Sequence, residues 1–112
     1  MLKFSNEEVD FKVWLDDERP MPSDFHMHVK TATEAIAVLE SMPVSVISLD
    51  HDLGEGSAGT GYEVATYIEQ SAYNGTIDPI EVRIHSANPV GRQNMAAAIA
   101  NAQRYWQNNS TI

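Results

Sequence analysis

Three short stretches hold most of the residues that could do chemistry: L-D-D-E-R-P at 15–20, L-D-H-D-L-G at 49–54 and H-S-A-N-P-V-G-R at 85–92. If Asp16, Asp17, Asp50 and Asp52 come together, their charges repel and at least one carboxyl is pushed toward its neutral form. A bound divalent cation removes that conflict. Carboxylate oxygens with room left for water suit Mg2+ or Mn2+, with Asp16, Asp17 and Asp50 as the leading ligands and Asp52 as a further one. His51 and His85 widen the choice toward a zinc-like ion. Each acid has an alternative as a solvated turn residue, and Asp52 one as a cap on the Gly54 loop.

A histidine titrating near neutrality can protonate a leaving oxygen or deprotonate water, which is the role expected of His85. Its alternative is a ring closing the core beneath the loop. His51 stands between two carboxylates, which favour its protonated form and suit a general acid. Strand alternation would instead turn it away from the site. Arg19 and Arg92 are the candidate phosphate readers: a guanidinium binds phosphate through paired N–H groups, and Arg92 falls at a helix start where backbone N–H groups add to the attraction. Either could equally be a surface ion-pair partner. Catalytic candidates are therefore His85, His51 and Asp50.

Elements that could bring these stretches together are readable from pattern. Phe11–Leu15 is β-prone and ends in a proline-broken acidic loop. His26–Thr31 reads as a second strand, with His26 and His28 on an ordinary exposed face. Thr33 is placed to cap a helix in which Ile36, Leu39 and Glu40 share helical spacing before Pro43 stops it. Val44–Leu49 is apolar enough to be a strand covered on both faces. The glycine-rich stretch Gly54–Gly61 lacks the lysine of a phosphate-binding loop and reads as a mobile flap. A helix over Tyr62–Glu69 continues to an end near Asn74-Gly75. Ile80–Ile84 is a fourth strand. A last helix runs from Val90 or Gly91 to about Tyr105, with Met95, Ala98, Ile99 and Ala102 on one face. Trp14 and Trp106 read as packing residues, and residues 1–10 and 107–112 as frayed ends.

The order β, β, α, β, α, β, α predicts a parallel sheet whose ligand site lies beyond the carboxyl ends of the strands. Those ends are where the three chemical stretches fall. At 112 residues the chain fits one domain, and its 43% apolar content is that of a globular protein. A net charge of −9 without a basic cluster argues against binding a nucleic-acid polymer, while leaving room for a small anion held by arginine and a cation. The absence of cysteine excludes disulfides, thiol catalysis and thiolate metal sites. The charged N-terminus does not read as a signal peptide, and no run approaches the roughly 18 apolar residues of a membrane span. A cytoplasmic protein without membrane contact is expected.

With their strands, the three stretches resemble the receiver domain of two-component response regulators: V-W-L-D-D, V-I-S-L-D and V-R-I-H-S stand where that family has its acid pair, phosphoryl-accepting aspartate and hydroxyl residue. The resemblance implies a small receiver-like (flavodoxin/CheY-like) α/β three-layer sandwich with a mainly parallel, four-stranded sheet lacking the fifth strand. It implies magnesium at Asp16 and Asp17, Asp50 as acceptor and Ser86 as phosphoryl contact. No helix fits between the first two strands, and the family's lysine is missing. The fuller motifs W-L-D-D-E-R-P, L-D-H-D-L-G and H-S-A-N-P-V-G are similar to the receiver-derived cyclic-phosphate processing domains of bacterial and phage conflict systems. That similarity implies a metal-dependent phosphoesterase opening a cyclic phosphate on a nucleotide or nucleotide-like substrate, with Asn88 joining Arg19, Ser86 and Arg92 as substrate contacts. The alternatives are a degenerate receiver binding a metal and a nucleotide or partner protein without chemistry, and a phospho-accepting receiver at Asp50.

Overall fold

The computed structural model describes residues 10–54 and 56–110, without the side chains of 57, 109 and 110. Strand β1 (Lys12–Leu15) is followed by β2 (Met27–Val29), α1 (Ala32–Ser41), β3 (Val46–Leu49), a short 3-10 turn (Gly56–Ala58), α2 (Gly61–Asn74), β4 (Glu81–Ile84) and α3 (Pro89–Ser110). The four strands form one all-parallel sheet in the order β2-β1-β3-β4. The fold is receiver-like, with no fifth strand among the described residues. Because β2 and β3 leave β1 on opposite sides, the switch point of the sheet falls between β1 and β3, where an open parallel sheet forms its crevice.

Strand alternation divides the sheet into two unlike faces. Val13, Leu15, Ile47 and Leu49 are fully buried and belong to one cluster with Ala35 and Leu39 of α1, Val64 and Ile68 of α2, and Met95 and Ile99 of α3. All three helices therefore seal the same face. The other face carries a small cluster of Trp14, Val46 and Phe25, with Met21 packed against it. Among the described residues the third layer is thus the β1–β2 loop in place of a helix. Its prolines explain this, since Pro20 and Pro22 remove donors and exclude helical continuation.

Several boundaries move for local reasons. Thr31, and not Thr33, caps α1: its hydroxyl accepts the Glu34 N–H at 3.1 Å, and the Glu34 carboxylate accepts the Thr31 N–H at 3.1 Å. This reciprocal capping box ends β2 at Val29. Asn88 caps α3 by accepting the Gly91 N–H at 2.9 Å, so the helix starts at Pro89, a position proline tolerates because its missing donor has no partner there. At its far end α3 continues past Tyr105 to Ser110; Trp106 is buried and its indole N–H donates to the Ile77 carbonyl at 3.2 Å, which anchors the last turns. The expectation of frayed ends falls, for residues 1–9 and 111–112, outside the described residues. Gly75 closes α2 in the left-handed region, with φ of 71°. The glycine-rich loop is closed at its base by a bridge between Asp52 and Thr60.

Candidate metal and phosphate site

Register decides which residues meet. Leu15 lies beside Leu49, and Leu49 beside Ile84. One step further, the ladder continues through Asp16 N–H to Val29 O at 3.1 Å, Asp50 N–H to Leu15 O at 3.0 Å and His85 N–H to Leu49 O at 3.0 Å. Asp16, Asp50 and His85 therefore stand side by side at the carboxyl edge, on the parity of the loop-covered face because their predecessors point to the helices.

Asp16 is fully buried. Its Oδ1 accepts the backbone N–H groups of Glu18 and Arg19, each at 2.8 Å, and its Oδ2 lies 3.0 Å from His85 Nε2 and 3.8 Å from Arg19 Nη1. Burial alone would raise this carboxyl. The backbone donors of Arg19 and Glu18, followed by His85, outweigh it and hold Asp16 below the ordinary carboxylate range. His28, expected on an ordinary exposed face, instead donates from Nε2 to the Asp16 carbonyl at 2.7 Å. Asp50 is also buried, and its Oδ1 accepts the N–H of His51 at 2.8 Å.

Asp16, Asp17 and Asp50 each offer an oxygen within 4.8 Å of the others. That spread fits one hard cation, whose oxygen ligands at about 2.0–2.6 Å subtend similar separations. Neither His51 nor His85 joins the set, so the donors are all oxygen, which suits Mg2+ or Mn2+ above a zinc-like ion. The carboxylates open into a cleft of about 310 Å³ lined by Asp16, Asp17, Glu18, Arg19, Asp50, Asp52, Gly54 and Ala87. Its size is at the lower end for small-ligand sites. Gly54, at φ of 91°, brings its backbone so close that an added Cβ would stand 3.2 Å from Asp17 Oδ2.

The remaining candidates divide between the cleft and its supports. Arg19 lines the cleft and donates from Nη1 to the His85 carbonyl at 2.6 Å. Asp52 lines it too, but outside the three-carboxylate set: its Oδ1 accepts from His51 Nδ1 at 2.9 Å and from the Asn88 amide at 3.4 Å. The hydrogen bond from His51 is the main reason its carboxyl lies below the ordinary range. His51 turns to the helix side, where Gly91 of α3 leaves it space; a Cβ there would lie 2.4 Å from the ring. Ser86 is buried and its hydroxyl accepts the Asn88 N–H at 3.1 Å. Arg92 is exposed in the first turn of α3 and is not among the cleft-lining residues.

His85 sits behind the cleft wall. Its Nε2 faces Asp16, its Nδ1 lies 2.7 Å from Ser48 Oγ, and its ring stacks on Trp14 with centroids 3.8 Å apart and planes 5° from parallel. Burial pushes His85 below the ordinary histidine value, more than the neighbouring carboxylates raise it. Ser48 escaped the sequence reading, and Trp14, read as a packing residue, packs on His85 itself. The signal was the period of two: Trp14 with Asp16, Ser48 with Asp50, and Arg83 with His85 share one face once the strands are parallel.

Comparisons with curated proteins and with solved structures gave no match. The family of cyclic-phosphate processing receiver domains, by contrast, matches residues 11–101, a span that holds the acid cluster, the cleft and every residue of its supports. The chain belongs to the cyclic-phosphate processing receiver domain family.

Proposed function

We propose that this protein is a metal-dependent phosphoesterase that opens a cyclic phosphate on a small nucleotide or nucleotide-like substrate. The observation that supports this most is the convergence of Asp16, Asp17 and Asp50 within 4.8 Å at the cleft. Family membership supports a cyclic phosphate as the substrate class. A Mg2+ or Mn2+ ion held by those carboxylates would supply Lewis-acid polarisation of the phosphoryl group.

The chain's own residues do the rest. Arg19, on the cleft wall, neutralises phosphoryl charge. Ala87 and Gly54 bring backbone close to the ligand. Water forms the new P–O bond, the ring P–O bond breaks, and the released sugar oxygen takes a proton, leaving a phosphomonoester. For that proton traffic the geometry favours the His51–Asp52 pair over His85: Asp52 lines the cleft and is held by His51, whereas both nitrogens of His85 face other groups. Ser86 and Asn88 shape the turn that presents Ala87. Arg92 is retained as an outer attraction for an anion approaching the start of α3.

The test is incubation with Mg2+ or Mn2+ and a panel comprising a terminal 2′,3′-cyclic phosphate, an ADP-ribose cyclic phosphate and a cyclic dinucleotide, with products separated by chromatography. Metal-dependent turnover lost in Asp50→Ala is the expected result. One observation favours a second reading, binding without chemistry: no histidine or lysine lines the cleft among the described residues. On that reading a cyclic nucleotide binds in the presence of metal and is recovered intact after prolonged incubation.

A further inference from the structure

We propose that Ser48, His85 and Trp14 form a positioning relay that aims Asp16 Oδ2 for cation binding, with Trp14 as its built-in optical reporter. The proposal rests on the reading of Asp16, Asp17 and Asp50 as a cation site. Asp16 has one oxygen committed to the backbone, since Oδ1 accepts the N–H groups of Glu18 and Arg19. Oδ2 is the oxygen left for a ligand. Its direction depends on His85 Nε2 at 3.0 Å.

The hydrogen positions on His85 follow from its partners. A carboxylate deprotonated in the folded protein can only accept, so Nε2 bears the hydrogen that points at Asp16. In the neutral ring Nδ1 is then an acceptor, and the Ser48 hydroxyl donates to it across 2.7 Å. Ser48 is itself buried on the central strand β3, which makes it a rigid anchor. The arrangement matches the way metal sites use an outer partner to hold a ligand's orientation.

Trp14 completes a closed circuit. Its ring covers His85 at 3.8 Å and prevents the imidazole from turning. Its indole N–H donates to the Arg19 carbonyl at 3.3 Å, tying it to the loop whose N–H groups hold Asp16 Oδ1. Arg19 in turn donates to the His85 carbonyl at 2.6 Å. A shift of Asp16 on taking up a cation is therefore transmitted to the stacked ring. His85 does not line the cleft, so it acts through Asp16 and is a positioning residue.

The experiment titrates Mg2+ into the full chain by calorimetry and by tryptophan emission, in the wild type and in Ser48→Ala, Ser48→Thr, Trp14→Phe and Asp17→Asn. The relay predicts an affinity loss of roughly 10-fold or more in Ser48→Ala, within the range seen for outer-shell partners of metal ligands. It predicts recovery in Ser48→Thr, which restores the hydroxyl. It also predicts an emission change in the wild type that follows the calorimetric midpoint and disappears in Trp14→Phe, leaving Trp106 silent. Should Ser48→Ala unfold by circular dichroism, His85→Gln replaces it: an amide donor to Asp16 without the Ser48 link should weaken Mg2+ binding. Wild-type affinity in a folded Ser48→Ala or His85→Gln, with binding lost in Asp17→Asn, overturns the relay and leaves the cation site standing. No Mg2+ uptake by the wild type overturns both.

Discussion

The two faces of the sheet are built from the same strands and do opposite work. On the helix face, Val13, Leu15, Ile47 and Leu49 disappear beneath three helices, and nothing polar from the strands points that way. On the loop face, Trp14, Ser48, Asp16, Asp50 and His85 share one parity, and among the described residues the apolar cover is the small cluster around Phe25 and Met21. The difference teaches where this fold can hold charge. Three closely set carboxylates need donors, water or a cation around them, which a helix-packed face cannot supply. A loop supplies backbone N–H groups instead.

The contrast is most sharply tested by comparing substitutions at neighbouring positions of β3 and its end. Leu49→Ala should cost about 2–5 kcal/mol of stability, because a fully buried side chain is replaced by a cavity. Thermal unfolding reads this. Asp50→Ala, one residue on, should abolish metal-dependent turnover while leaving the metal-free protein as stable as the wild type or more so, since one of three like charges is gone. A large fall in the unfolding midpoint of metal-free Asp50→Ala would mean that the carboxylate is structural and that the faces do not divide as described.

Acid should act through the loop face as well. His85 is held below the ordinary histidine value of 6.5 and Asp16 below the ordinary aspartate value of 3.8. In both cases the unfolded chain binds protons more readily than the native one. Stability is therefore full above the ordinary value and falls with pH, first from about 6.5 as His85 is approached and again below about 3.8 for Asp16. Unfolding midpoints across pH 3–8 should show this decline, and His85→Gln should remove its upper step. A midpoint that rises between about pH 6.5 and 5 would contradict the burial of a neutral His85. The smallest effect is expected at Asn88→Ala, which deletes the α3 cap and a contact to Asp52 at a cost of about 1 kcal/mol. A loss as large as that of Leu49→Ala would show that the start of α3 contributes more than its cap.

Element order and the location of the chemistry were legible in the chain because both rest on local pattern. Apolar runs of strand length, broken by Pro20, Pro43 and Asn74-Gly75, place the four strands and three helices, and the acids Asp16, Asp17 and Asp50 follow strands directly. The misplacement of the α1 cap at Thr33 had a local cause, since Thr31 and Thr33 are two residues apart and only Thr31 has Glu34 at the reciprocal position. His51 and His85 were harder. A sequence shows that a histidine is near an acid, but not which acid its ring nitrogen meets.

By itself the sequence determined the α/β order, the acidic carboxyl edge, the absence of thiol chemistry and the three motifs that define the family. Only the tertiary structure decided that His85 pairs with Asp16 and Ser48 while His51 pairs with Asp52, that Trp14 stacks behind the site, and that a loop forms the third layer. The physical reason is range. Strand propensity, turn chemistry and capping act over a few residues, whereas Asp16 and His85 meet across 69 positions through the register of three parallel strands. That register is set when the helix face closes, because a slip of one residue would turn the buried Leu15, Ile47 and Leu49 of the strands outward.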